Sequence, residues 1–234
     1  MKKALLTCAL SSVVAISAIT VSHSAMASDF TINPMVGASK NKAMGSNVAV
    51  GLEAGYKDFI VGYTYTGETD KRGNNESFGF DDIDGDNEPV WRSFDASVYT
   101  TEKYKAHTLY VGYQFAVGAG HLAVKAGADF SKYSASAGFD AKEYNQGGIL
   151  NKAGMGLEGT SNTEVHPMVG VGYYLDNGLN FNLHYTFQNG SRDMKYSASG
   201  YNNNDKGSVN LGRGKSDLEN KDFGTWMFTV GYRF

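Results

Sequence analysis

A chain of 234 residues with 29 glycines, 15 tyrosines, 13 phenylalanines, three prolines and one cysteine, at a formal charge of −3, excludes several classes. It lacks the basic stripe that holds nucleic acid, and beyond its first residues no run of about 18 apolar residues could cross a membrane as a helix. A transmembrane β-barrel stays open, because its signal is alternation, which averages to nothing over a hydropathy window.

Residues 1–27 read as a secretory signal peptide: Lys2 and Lys3, an apolar stretch from Ala4 to about Val21, and Ala25-Met26-Ala27 as the cleavage site. Cleavage after Ala27 removes Cys8 and leaves 19 basic against 24 acidic residues, a charge of −5. A secreted chain without disulfides is held by a sizeable core or by a solvent other than water. Residues 28–234 then form one domain.

Eight segments of that domain alternate with period 2. They are 30–40, with Phe30, Ile32, Val36 and Ala38 on one face; 47–56, with Val48, Val50, Leu52, Ala54 and Tyr56; and 59–66, with Phe59, Val61, Tyr63 and Tyr65. Next come 106–115, with Leu109, Val111, Tyr113 and Phe115, and 121–133, with Leu122, Val124, Ala126, Ala128 and Phe130. Segments 165–175 and 179–188 put Val169, Val171, Tyr173 and Leu175, then Leu179, Phe181, Leu183, Tyr185 and Phe187, on their apolar faces. The last segment sets Trp226, Phe228, Val230, Tyr232 and Phe234 against Met227, Thr229, Gly231 and Arg233.

Each segment has about the length a tilted strand needs to cross a bilayer. Tight turns at Lys57-Asp58, Gly118-Ala119-Gly120 and Asp176-Asn177-Gly178 alternate with gaps rich in Gly, Asn, Ser and Asp, the long ones at 67–105, 134–164 and 189–222. Short turns at one end and long loops at the other predict an all-β fold, an eight-stranded antiparallel transmembrane barrel in a bacterial outer membrane, loops exposed at the cell surface. The last segment pairs with the first, so no backbone is left unpaired in lipid. Phe30, Tyr56, Phe59, Phe115, Tyr232 and Phe234 make one aromatic girdle; Tyr63, Tyr65, Phe130, Tyr185, Phe187 and Trp226 make the other.

Parity turns Glu53, Lys125, Asp129, His166, His184 and Arg233 inward. An eight-stranded barrel has room for little besides side chains, so these charges must pair, and Glu53 and Lys125 stand at similar heights above their turns. Outward Val171 should reject arginine, whereas inward Gly172 should accept serine. In the first long loop, Asp82, Asp84 and Asp86 are oxygen donors of the type Ca²⁺ prefers, but the spacing fails the EF-hand pattern. A solvated acidic loop and a weakly bound Ca²⁺ both fit; no other cofactor is expected.

Asp222-Phe223-Gly224-Thr225-Trp226 followed by Val230-Gly231-Tyr232-Arg233-Phe234 resembles the closing strand of the OmpX/Ail/Lom family of small outer-membrane proteins, within the OmpA-like barrels. The tripeptide Val-Gly-Tyr recurs at 61–63, 111–113, 171–173 and 230–232. The resemblance implies a monomer among outer-membrane lipids and lipopolysaccharide, with the C-terminal aromatic strand, Trp226 to Phe234, read by the barrel assembly machinery. It also implies loops that contact host surface or matrix components, in adhesion, colonisation or serum resistance. A small-solute channel and an envelope-structural barrel are the other expectations.

An enzyme is not expected. His184 has Thr186 where lipid-modifying barrels carry a serine, and no orienting acid stands at a matching position. Gly154–Gly159 matches G-x-G-x-x-G only formally, without a strand–helix context.

Overall fold

The computed structural model describes residues 29–83, 89–145, 148–188, 190–202, 209–219 and 221–234. The expected signal peptide, residues 1–27, lies outside them. Among the described residues no helix is long and apolar enough to cross a membrane. Among the described residues the regular structure is one antiparallel sheet of eleven strands.

The strands are β1 (Phe30–Asn41), β2 (Gly45–Tyr56), β3 (Phe59–Ile83), β4 (Pro89–Ala116), β5 (Gly120–Asn145), β6 (Gly148–Ser161), β7 (Glu164–Leu175), β8 (Leu179–Thr186), β9 (Arg192–Asn202), β10 (Val209–Leu218) and β11 (Thr225–Tyr232). Pairings run β1–β2–β3–β4–β5–β7–β8–β11 and back to β1, a closed circuit. The seam joins Met35 to Gly231 and Asn41 to Thr225, and Phe234 adds bonds to and from Ile32 at 2.9 and 3.2 Å. Within this ring the burial alternates as period 2 demands: Val61, Leu109, Val111, Val124, Val171, Phe228 and Tyr232 are exposed outward, while Ile60, Tyr110, Met168, Tyr174 and Met227 are buried inside.

Turn chemistry fixes the register at the near end. Gly178 adopts φ +92° between β7 and β8, which an L side chain rarely does. At the seam the requirement is room: a Cβ on Gly37 would lie 1.9 Å from the carbonyl oxygen of Phe228. Gly37→Ala is therefore expected to force β1 and β11 apart and destabilise the ring by roughly 1–3 kcal/mol. Urea unfolding followed by tryptophan fluorescence would read this through Trp226.

The long gaps are where the expectation fails. Most of 67–105, 134–164 and 189–222 is strand, not loop. β3 and β4 continue their ladder from Thr66↔Ala106 up to Ile83↔Pro89, and β4 stays paired with β5 as far as Ser93↔Tyr144. β5 forks: residues 120–131 pair with β7, whereas 134–145 pair with β6. β6 then pairs β9, and β9 pairs β10. The result is an extension of six strands, in the order β10-β9-β6-β5-β4-β3, standing above the ring. The backbone of a long insertion needs hydrogen-bond partners, and a hairpin ladder supplies them without apolar alternation.

Candidate functional site

Interior positions of the ring are filled in two layers. In the layer nearer the tight turns, Glu53 is 2% exposed and its carboxylate accepts four hydrogen bonds. They come from Lys125 Nζ, from the Tyr110 and Tyr174 hydroxyls at 2.7 and 2.6 Å, and from Asn33 Nδ2 at 2.6 Å. Lys125 Nζ also donates to Asn182 Oδ1. Asn182, Asn180 and Asn33 then bond one another across β8 and β1. A buried ion pair is tolerable only when its remaining lone pairs and protons find partners; here Glu53 accepts four hydrogen bonds and Lys125 donates two. Arg233, half-buried at the near mouth, donates to Gln114 Oε1 at 2.9 Å and lies 5.2 Å from the Tyr174 ring centroid.

The second layer is built on Asp129, which accepts from Thr108 Oγ1 at 2.6 Å and from Gln188 Nε2. Gln188 Oε1 accepts from Tyr104 at 2.9 Å and from Arg192 Nη2 at 2.9 Å. Above it, the chain between β10 and β11 lays Phe223, 1% exposed, over the far mouth. Its ring stacks on Tyr104 at 5.5 Å and sits 4.2 Å from the Arg192 guanidinium. His184 is buried edge-on to Tyr110 at 4.8 Å, and its Nε2 has no hydrogen-bond partner among the described residues. His166 pairs instead with Glu164 at 3.1 Å, so the two histidines serve different neighbours.

Phe223 is held by a strap contact outside the ring. Lys221 Nζ donates to Glu102 Oε1 at 3.0 Å, and the Tyr133 hydroxyl donates to the same oxygen at 2.7 Å. Burial raises the Glu102 pKa, but the hydrogen bonds from Tyr133 and Lys221 and the lysine charge outweigh it and hold the carboxyl below its ordinary range. A depressed carboxylate contributes stability above its unfolded pKa and loses it as pH falls through the folded one. The Phe223 amide, bonded to Gln188 O at 3.0 Å, is therefore expected to lose protection from hydrogen exchange as pH drops below about 4, the ordinary carboxylate range. Lys221→Met should move that loss to higher pH.

The other sequence-singled residues fall elsewhere. Trp226, Phe228, Val230, Tyr232 and Phe234 point outward along β11 and its end, exposed or half-buried. Asp82, at the tip of β3, has Oδ2 3.0 Å from Arg92 Nε; Asp84 and Asp86 lie outside the described residues. Among the described residues no group of three acidic, His or Cys side chains could hold a metal. Gly172 is less permissive than its parity suggests: a Cβ there would meet Asn182 Oδ1 at 2.4 Å and Lys125 Cε at 3.2 Å. Gly154 and Gly156 lie on β6, in a ladder and not a phosphate loop.

Parity alone could have found Tyr110, Tyr174, Asn180 and Asn182, which occupy inward positions on segments already recognised. Arg192 and Phe223 carry no such signal, because they lie in a stretch without alternation.

No family model matches the sequence, and no curated protein does. Among solved structures, the crystal structure of CarO2 from Acinetobacter baumannii aligns over 87% of this chain and 99% of that one, at 12% identity and a TM-score of 0.36. A likeness that weak has no bearing on function.

Proposed function

We propose that the closed circuit is an eight-stranded outer-membrane β-barrel of the OmpX/Ail type, and that the six-stranded extension is its working part, contacting surfaces outside the cell. The observation that carries this reading is the contrast between the two. The interior of the circuit carries buried side chains bonded to one another, Glu53 with Lys125 and Asp129 with Gln188. The lumen-side face of the extension leaves Phe78, Val98, Phe139, Met155, Leu157 and Leu211 between 42 and 58% exposed. Apolar area of that kind in water marks an interaction surface. The partner is a host cell, matrix or neighbouring envelope component, and the activity is adhesion, colonisation or serum resistance.

Thr66 and Ala106 are direct cross-strand partners, so residues 67–105 can be replaced by a two-residue hairpin turn without disturbing the register below. The shortened protein is expected to remain heat-modifiable and protease-resistant in outer membranes, and to lose most cell or matrix binding. Equivalent shortening of 134–164 and 189–222 completes the set. Should all three variants bind as well as the parent while Glu53→Gln alters solute uptake, a channel replaces the contact surface.

A further inference from the structure

The opposite, outward face of the extension carries different chemistry. One cross-strand row there runs Asn75, Ser97, Asp140, Gly154, Tyr201. In the next row Ser77 faces Asp95. The six side chains of these rows line a cavity of about 310 Å³, at the lower end of the range for small-molecule sites. Asp95, Ser97, Asp140 and Tyr201 are half-buried, and so held in place by their neighbours.

The polar groups are partly committed. The Tyr201 hydroxyl donates to Asp140 Oδ1 at 2.7 Å, and Ser77 Oγ donates to Asp95 Oδ1 at 2.7 Å. The second carboxylate oxygen of each aspartate, and the Asn75 amide, make no hydrogen bond among the described residues. They are oriented acceptors, plus one amide donor, facing a cavity. Lys142, cross-strand from Asp95, also lines it, so the pocket holds two carboxylates and one cation.

Flat aromatic rings flank this pocket on the same face. A Cβ on Gly138 would lie 2.2 Å from the Tyr99 ring, one on Gly154 2.5 Å from Tyr201, and one on Gly79 2.6 Å from Trp91. Each ring lies down over a glycine, and Tyr99 and Trp91 keep 40 and 49% of their surface exposed. A sugar ring needs this combination: an apolar C–H face to lie on an aromatic face, and hydroxyls that donate to acceptor-only carboxylates. A nucleotide could stack its base on the rings, but its phosphates would meet an acidic pocket.

We propose that this pocket binds a neutral carbohydrate, with Asp95, Asp140 and Asn75 taking its hydroxyls and Tyr99 and Tyr201 flanking its ring. The proposal rests on the reading of the extension as the contacting part of the protein and gives its outward face a ligand class. The test uses the full mature protein, folded in detergent micelles, on a printed set of neutral, N-acetylated, sialylated and sulfated oligosaccharides. Neutral or N-acetylated probes should be retained and the acidic ones should not. Calorimetry with a retained probe should show affinity falling about tenfold or more in Asp140→Ala, the scale of one hydrogen bond to a charged group. Tyr99→Ala and Gly138→Ala, the latter lifting the Tyr99 ring, should weaken it as well; Lys195→Ala, at the lower end of the same face, should not. A heat-modifiable gel shift in each variant shows that it has folded.

Retention of no probe, retention of acidic probes alone, or neutral binding untouched by Asp140→Ala and Tyr99→Ala overturns the proposal. If the shortened 67–105 variant still loses cell binding in those cases, the contact surface stands and only the pocket falls. If cell binding survives all three shortenings, the broader reading has failed too.

Discussion

Lys125→Met is expected to destabilise the ring by about 3–5 kcal/mol, the usual cost of leaving one member of a buried ion pair uncompensated. Glu53 would keep its bonds from Tyr110, Tyr174 and Asn33 but lose the cation that balances it. Urea unfolding in lipid vesicles measures the loss. The double variant Glu53→Met with Lys125→Met should recover much of it, since the remaining carboxylate is then absent and two apolar chains occupy similar volume. A loss under about 1 kcal/mol would mean that water already reaches the pair, as at an exposed salt bridge, and would revive the channel.

Val171→Arg is the second large effect. Val171 points outward between Val124 and Leu183, its cross-strand neighbours, and is 47% exposed. In a bilayer the guanidinium would sit in hydrocarbon, costing roughly 2–4 kcal/mol near mid-depth and less towards the interfaces. In a water-soluble ring the same surface substitution would change stability by no more than about 0.5 kcal/mol. Unfolding in vesicles separates the two, and a near-neutral result removes the membrane from the account.

How much of this was legible from residues follows a physical line. Inside the ring one face is buried and the other exposed, so alternation is strong, and it revealed the outward stripe from Trp226 to Tyr232 and the inward Glu53, Lys125 and Asp129. The height of Glu53 and Lys125 above Lys57-Asp58 and Gly118–Gly120 was enough to anticipate their pairing. In the extension neither face is fully buried, and a strand with no buried face specifies its register weakly. Runs such as Arg72-Gly73-Asn74-Asn75 therefore look like loop, although the ladder carries them as strand. Gly172 shows a different gap: parity names the side a residue faces, not the space available there. Phe223 was hidden because it closes the far mouth from a connection, where no period applies, and Arg192 because it opens β9, a strand without apolar alternation.

The seam between β1 and β11 also sets the order in which the protein can be made. Residues 30–41 must wait for residues 225–232 before either has its second neighbour, so the contact that closes the ring spans nearly the whole chain. Contacts of such long sequence separation carry the largest loop-closure cost and slow folding. Until that step both strands are bare edges, open to pairing with any other chain. Closure of the ring is therefore committed only when the last strand arrives, and the exposed edges need shielding until then.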